Sequence, residues 1–379
     1  MEISITQKIR RPTLILDEDQ ARKNLRHMLE KAKSQSISFR PHFKTHQSLE
    51  IGEWFREEGV DRAAVSSVSM AEYFSIGDWK DITIAFPVNL REMDKVCVLA
   101  RKIELGVLVE SLESAAFLKE ALDSDINVWI KIDTGLHRTG ILWNDQSSIL
   151  ELATHIADSK RLNFTGILTH AGQTYDAKTT DGIRDLYSES NTRMNDVRDY
   201  LESAGFQGLK ISVGDTPGCW LSENLGDVDE IRPGNFLFFD AMMEELGVCR
   251  RSDIAVNVAC PVVAKHQERL EVVVYGGGIH LSKQAIHTAE RDIYGYICMP
   301  GVGEFPRYLS KENYVSALSQ EHGVVKLERN EFDTLHVGDT IYIQPVHSCL
   351  VVDLLGDYLT QDGRIIRSMN SERIKNLQW

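Results

Sequence analysis

The run Arg40-Pro41-His42-Phe43-Lys44-Thr45-His46 follows a short apolar stretch, Ile37-Ser38-Phe39, and precedes a polar helix start. It sets one lysine between two imidazoles, just past a proline that stiffens the chain. A lysine at a strand end suits Schiff-base chemistry with a carbonyl. That chemistry needs a neutral amine, and burial beside cationic neighbours lowers a lysine pKa. On these residues alone a solvated loop lysine in a basic patch is the simpler reading. The rest of the chain decides between the two.

Outward from this point a pattern repeats. After Ile37-Ser38-Phe39 come the apolar runs 63–68, 82–86, 106–109, 128–133, 164–170 and 209–213, then the less regular 230–233. Helical periodicity fills the gaps, most clearly over 48–58, 90–102, 111–122, 146–157 and 182–203. Short apolar runs alternating with helices mean parallel βα units. Eight consecutive units favour an α/β fold closed as a (β/α)8 TIM-type barrel over an open doubly wound sheet. Past about Arg251 helical periodicity is scarce. The runs 254–263, 270–274, 294–299, 323–327, 340–343 and 350–354 read as strands of a second, β-rich C-terminal domain. The expected division is a barrel over 13–250 and a β-rich domain over 251–379, joined by an N-terminal strand within 1–12.

The 379 residues suffice for two domains. A net charge of −14 with no basic block argues against nucleic acid and against an anionic membrane surface. No apolar run approaches the ~20 residues of a membrane span. Met1-Glu2-Ile3-Ser4-Ile5-Thr6 lacks the basic and apolar regions of a signal peptide. Six scattered cysteines without a C-x-x-C motif fit reduced thiols and a cytoplasmic protein.

Barrel chemistry sits at the C-terminal ends of the strands. Those ends carry Lys44, the loop 133–140, His170-Ala171-Gly172-Gln173-Thr174-Tyr175, Ser212-Val213-Gly214-Asp215-Thr216-Pro217-Gly218 and Arg232-Pro233-Gly234-Asn235. The last two are glycine-bearing turns with hydroxyl and amide donors. Glycine lets backbone N–H groups approach an anion, and barrels often hold phosphate after strands seven and eight. A phosphate there and a lysine on strand one, the neighbour across the closure, describe pyridoxal 5'-phosphate. Tyr275-Gly276-Gly277-Gly278 follows a strand but precedes no clear helix, and reads as a structural turn. In His347-Ser348-Cys349, strand alternation would put imidazole and thiolate on one face, a pair that suits Zn²⁺. A packed core pair is the simpler reading of a bare H-x-C.

The run 40–46 resembles the lysine motif of fold-type III pyridoxal phosphate enzymes. More narrowly it is similar to the D-threonine aldolase and D-serine dehydratase branch of the alanine racemase superfamily. The likeness continues through His137-Arg138-Thr139-Gly140, His170-Ala171-Gly172, Gly214-Asp215-Thr216-Pro217, Ile231-Arg232-Pro233-Gly234-Asn235 and His347-Ser348-Cys349. The resemblance implies that Lys44 carries the cofactor and moves the substrate α-proton. Arg138 would face the cofactor's phenolic oxygen, His170 pack against its ring, and Arg232 lie near the pyridine nitrogen. Thr216, Gly234 and Asn235 would hold the phosphate, with Gly214 shaping the turn. Gln173 and Tyr175 would border the cofactor or substrate. His347 and Cys349 would bind a metal at the substrate β-hydroxyl.

The family often has glycine where Asp215 stands; that side chain would point away and leave its backbone N–H at the anion. Leu350-Val351-Val352 also departs from the proline- and threonine-bearing run that follows the metal motif in relatives. The expected activity is β-elimination of D-serine to pyruvate and ammonia. The alternative is retro-aldol cleavage of D-threonine or D-3-hydroxyaspartate, where relatives carry aspartate in place of Cys349 and prefer Mn²⁺ or Mg²⁺. A racemase needs no metal. A non-catalytic cofactor carrier would be a barrel alone, without the long β-rich domain. The resemblance also implies a head-to-tail homodimer acting on a small D-amino acid.

Overall fold

The computed structural model of the chain describes residues 8–299 and 306–371. These form two compact units. One comprises Arg26–Lys44 and Gly52–Phe236; the other comprises the described residues up to Leu25, Thr45–Ile51 and those from Leu237 onward. The boundary expected at residue 250 thus falls at Phe236. The first seven residues of the expected N-terminal strand lie outside the described residues. The strand observed is Thr13–Leu16, pairing antiparallel with Val256–Ala259 and parallel with Tyr358–Thr360. Those backbone bonds place it in the β-rich unit.

The first unit contains eight parallel strands: β1 (Ser38–Phe39), β2 (Arg62–Val65), β3 (Asp81–Pro87), β4 (Glu104–Val109), β5 (Ile126–Asp133), β6 (Leu162–Leu168), β7 (Lys210–Val213) and β8 (Glu230–Ile231). Successive strands pair from β2 to β8, and β8 pairs with β1. The remaining seam closes through a parallel bridge between His42 and Ala64, with Ala64 N–H donating to Pro41 O at 3.0 Å. The expected barrel is present. Its helices begin at side-chain caps that satisfy orphan N–H groups. Ser111 accepts from Ser114 N–H, Asp145 from Ser148 N–H, and Thr179 from Gly182 N–H. The run expected as a strand over 63–68 is shorter: β2 ends at Val65, and Ser67 caps the helix Val68–Ile76.

Two side-chain arrangements hold the short strand β1. Arg40 is 5% exposed. Its Nε donates to Glu230 Oε2 at 2.8 Å on β8, and Nη2 to Asp81 Oδ2 at 3.1 Å on β3. One guanidinium therefore ties strands on both sides of the seam. Phe43, fully buried, packs against Phe55, Phe74 and Trp79 with ring centroids 4.8–5.2 Å apart. It anchors the residue immediately before Lys44.

In the second unit six antiparallel strands form a closed path: Glu271–Tyr275, His322–Lys326, Tyr314–Leu318, Gly295–Met299, Thr340–Pro345 and Val256–His266, which returns to the first. Five of these match expected runs; Tyr314–Leu318 was not anticipated. The run 350–354 is not a strand. Backbone pairing stops at Pro345 and Ser348–Leu355 is a helix. The alternation argument for His347 and Cys349 therefore fails: His347 is the helix N-cap and Cys349 its second residue. A single helical turn, Gly278–Leu281, follows the three glycines where none was expected.

Arg40→Ala should strand two carboxylates at the seam. Removing one partner of a buried ion cluster costs about 3–5 kcal/mol. Urea unfolding should show that loss, whereas a surface control such as Arg269→Ala should change stability little. Equal effects would mean that the seam is held without Arg40.

Candidate active site

Lys44 lies in the 3-10 turn Phe43–Thr45 at the C-terminal end of β1. Backbone bonds fix that end on two sides: His42 N–H donates to Pro233 O at 3.0 Å, and Pro41 O accepts from Ala64. Lys44 thus sits next to the turn that carries Gly234 and Asn235. The lysine is exposed rather than buried. Its flanking imidazoles are engaged by the backbone. His42 Nδ1 accepts the Lys44 N–H at 3.3 Å. His46 Nδ1 accepts the Ser48 N–H at 3.1 Å, and burial drives its pKa down to about 3. Both rings shape the turn, much as short polar side chains do elsewhere.

The positive surroundings come from other strands. His170, after β6, donates Nδ1–H to Gly214 O. Its pKa is held well below the ordinary value by burial, then by the charge of Lys44, with Arg138 and Lys131 adding to the effect. A neutral ring therefore stands among three cations. Arg138, exposed, belongs to the loop after β5. That loop is folded by Asp133, whose Oδ1 accepts from Gly135 N–H at 2.9 Å and from His137 N–H at 3.1 Å. Arg232, after β8, is 5% exposed; Nε donates to Ser212 Oγ at 2.7 Å, and Nη2 to Thr169 O. Burial lowers its pKa to about 10.

Lys131 was missed by the sequence reading. It projects from β5, is 6% exposed, and donates to Ile132 O at 2.9 Å. Burial first, then Arg232 and Arg138, lower its pKa to about 7. A signal existed: a lysine within an apolar parallel strand is anomalous, because both faces of such a strand are covered.

The two glycine turns meet. A Cβ on Gly214 would meet the Arg232 backbone at 3.0 Å, so a larger residue would have to push the two turns apart. Thr216 Oγ1 accepts from Phe236 N–H at 3.2 Å, next to Asn235. Tyr175 OH accepts from Thr216 N–H at 3.3 Å. Gln173 reaches Thr134 O with Nε2 at 3.4 Å, while its buried Oε1 has no hydrogen-bond partner among the described residues. The Asp215 side chain is engaged within its own turn. It caps the helix Thr216–Leu221, accepting from Gly218 N–H and from Thr174 Oγ1 at 2.9 Å through Oδ1. Among the described residues its Oδ2 is buried with no hydrogen-bond partner, and burial raises its pKa to about 7.

In the second unit, His347 and Cys349 flank Ser348, whose N–H and hydroxyl both donate to the buried Asp240 Oδ2, at 3.0 and 3.3 Å. His347 Nδ1 lies 2.8 Å from Gln284 Oε1. The Cys349 thiol donates to the hydroxyl of Thr45 at 3.4 Å. Imidazole and thiol are a donor pair that Zn²⁺ accepts. Among the described residues no group of three or more His, Cys, Asp or Glu side chains is placed to hold a metal. Two protein ligands leave positions for water or substrate.

A family profile described as the alanine racemase N-terminal domain matches residues 16–242, and a serine dehydratase domain profile matches residues 255–361. The chain is 31% identical over 390 residues to a D-serine dehydratase of Dictyostelium discoideum, with 96% of each chain covered. It is similar to the structure of D-threo-3-hydroxyaspartate dehydratase from Delftia sp. HT23, with 25% identity, a TM-score of 0.88, and 97% and 99% of the two chains covered. A cysteine-to-alanine mutant of D-threo-3-hydroxyaspartate dehydratase in a metal-free form gives a TM-score of 0.88 at 26% identity, covering 96% of this chain and 98% of that one.

The buried Asp215 carboxyl makes a pH prediction. Its folded pKa of about 7 lies above the ordinary 3.8. The native state therefore holds a proton that the unfolded chain releases, and stability falls as pH rises between those values, on the order of 4 kcal/mol in all. Asp215→Asn mimics the protonated acid. In urea unfolding it should match wild type near pH 4 and exceed it above pH 7. A constant difference at all pH values would mean that Asp215 is ionised throughout.

Proposed function

We propose that this chain, which belongs to the alanine racemase N-terminal domain family and carries a serine dehydratase domain after it, is a pyridoxal phosphate-dependent lyase. It would convert D-serine to pyruvate and ammonia, as the name of its Dictyostelium relative suggests. The observation that carries this reading is Lys44 on the barrel seam, its charge felt by a histidine that is kept neutral first by burial and then by that charge.

The barrel residues fit the cofactor. Its phosphate and phenolic oxygen are anionic, and Lys44, Arg138, Lys131 and Arg232 supply positive charge at several strand ends. Thr216, Gly234 and Asn235 would hold the phosphate, where Gly214 permits close backbone approach. Arg138 would pair with the phenolic oxygen. Gln173 and Tyr175 border this region, and Arg232 would lie toward the ring nitrogen. When bound, the cofactor supplies a carbonyl for the amine and an electron sink that acidifies the substrate α-hydrogen.

Lys44 Nζ holds the cofactor at rest and, once released, accepts the α-proton. His170 would pack against the cofactor ring without adding charge to it. Its Nδ1–H, committed to Gly214 O, locks the ring's orientation. His347 and Cys349 would hold Zn²⁺, which supplies Lewis-acid polarisation of the β-hydroxyl, a poor leaving group. The thiol favours zinc over harder ions such as Mn²⁺ or Mg²⁺. Six cysteines without a disulfide suit a reducing cytoplasm. Among the described residues no helix is long and apolar enough to cross a membrane. The working form in this reading is a homodimer.

Borohydride reduction of the loaded protein should fix the cofactor to Lys44 and to no other peptide. Lys44→Ala should lower turnover of D-serine by about 10²–10⁴-fold or more. Pyruvate should form from D-serine. Glycine released from D-threonine or D-threo-3-hydroxyaspartate, without pyruvate from D-serine, would replace elimination with aldol cleavage.

Chelation should stop elimination from D-serine while sparing β-chloro-D-alanine, whose leaving group needs no Lewis acid. Loss of both activities would make the metal structural.

A further inference from the structure

The amide of Gln284 bridges two groups of different chemistry. Oε1 lies 2.8 Å from His347 Nδ1, and Nε2 lies 3.7 Å from Met242 Sδ. A thioether sulfur can only accept a hydrogen bond. The NH₂ end therefore belongs at Met242, and the carbonyl end at the imidazole. A carbonyl oxygen in turn needs a donor, so Nδ1 of His347 carries the proton and Nε2 carries the ring's lone pair. That is the tautomer a metal requires of a histidine bound through Nε2.

The chain around Gln284 is built for placement rather than comfort. Ser282, two residues earlier, has φ 66° and ψ 174°, a conformation that side chains other than glycine rarely adopt. Its hydroxyl accepts the Gln284 N–H at 3.3 Å and holds the reversal. The strained residue ends the helical turn Gly278–Leu281 that follows the three glycines. The glycine motif thus acquires a role: it brings the chain round to Gln284. A buried carboxylate works from the other side. Asp240 fixes Ser348 between the two ligand residues, so that both neighbours of Ser348 are held in place.

We infer that Gln284 is the positioning residue of the proposed metal site: its amide oxygen holds His347 in the Nδ1–H tautomer and presents Nε2 as the ligand nitrogen. The inference rests on the reading of His347 and Cys349 as metal ligands. It explains why an imidazole with only one neighbouring thiol could still bind an ion in a single orientation. Partners of this kind typically govern about 10- to 100-fold in metal affinity.

The test compares wild type, Gln284→Leu and Gln284→Glu as full-length, cofactor-loaded proteins. Zinc alone is titrated against a chromophoric chelator, and the His347 tautomer is read by nitrogen NMR in metal-stripped protein. Gln284→Leu should weaken zinc about 10- to 100-fold and lose the Nδ1–H tautomer. Gln284→Glu keeps an acceptor at the same place and should bind zinc at least as tightly as wild type. Cofactor absorbance should be the same in all three, which excludes misfolding. Wild-type affinity in Gln284→Leu, or an Nε2–H tautomer in wild type, would overturn the inference. An Nδ1–H tautomer in a wild type that binds no zinc would instead overturn the metal reading.

Discussion

A single guanidinium, Arg40, bridges carboxylates on β3 and β8 across the place where the barrel closes. The strand that carries it has only two residues, so ladder hydrogen bonds alone could not hold it. Side chains take over: the ion pairs fix one end, and the Phe43 ring, wedged among Phe55, Phe74 and Trp79, fixes the other. Between them they set where the backbone carries Lys44 in the closed barrel. The position of that lysine is thus a property of the closure itself.

The barrel interior then settles which charges survive. Lys131 and Arg232 are buried cations whose pKa values have fallen, and His170 gives up its charge among them. On the acid side Asp215 is pushed toward neutrality, while Glu230 and Asp81 are matched to Arg40. For Lys131, Arg232, His170 and Asp215 burial is the largest cause and neighbouring groups come second. The outcome is a set of strand ends biased toward an anion, with a neutral ring at its centre. The same low-dielectric argument explains Asp215 beside an expected phosphate: protonated, it caps a helix without repelling the ligand.

Much of this was legible in the chain. Eight apolar runs separated by helical periodicity gave the barrel, because parallel strands covered on both faces are continuous in their apolarity. The strand end before Gly214 falls at Val213 as expected, whereas the strand before Gly234 stops at Ile231, two residues short of the expected 230–233. Two kinds of feature escaped. Local alternation suggested a strand through His347 and Cys349, but Asp240, distant in sequence, caps Ser348 and starts a helix there. The run 350–354 is apolar enough for either element, and only that tertiary contact decides. The histidines flanking Lys44 misled for a related reason: residue type announces a possible charge, yet their ring nitrogens are spent on backbone N–H groups. Gln284 left no signal at all, since its partners lie far away in the chain.

The two-residue strand β1 has a further consequence for motion. Around Lys44 the seam depends on the amides of Arg40, His42 and Ala64, which donate to Ile231, Pro233 and Pro41. On the opposite wall, β5 and β6 share a register running from Ile126 to Lys131. Local opening at a thinly bonded edge costs less than unfolding the whole barrel. Those three amides should therefore trade hydrogen for deuterium well ahead of Ile130 or Ile167. The lysine would then ride on the part of the barrel that breathes, able to swing off and return while the far wall keeps its shape.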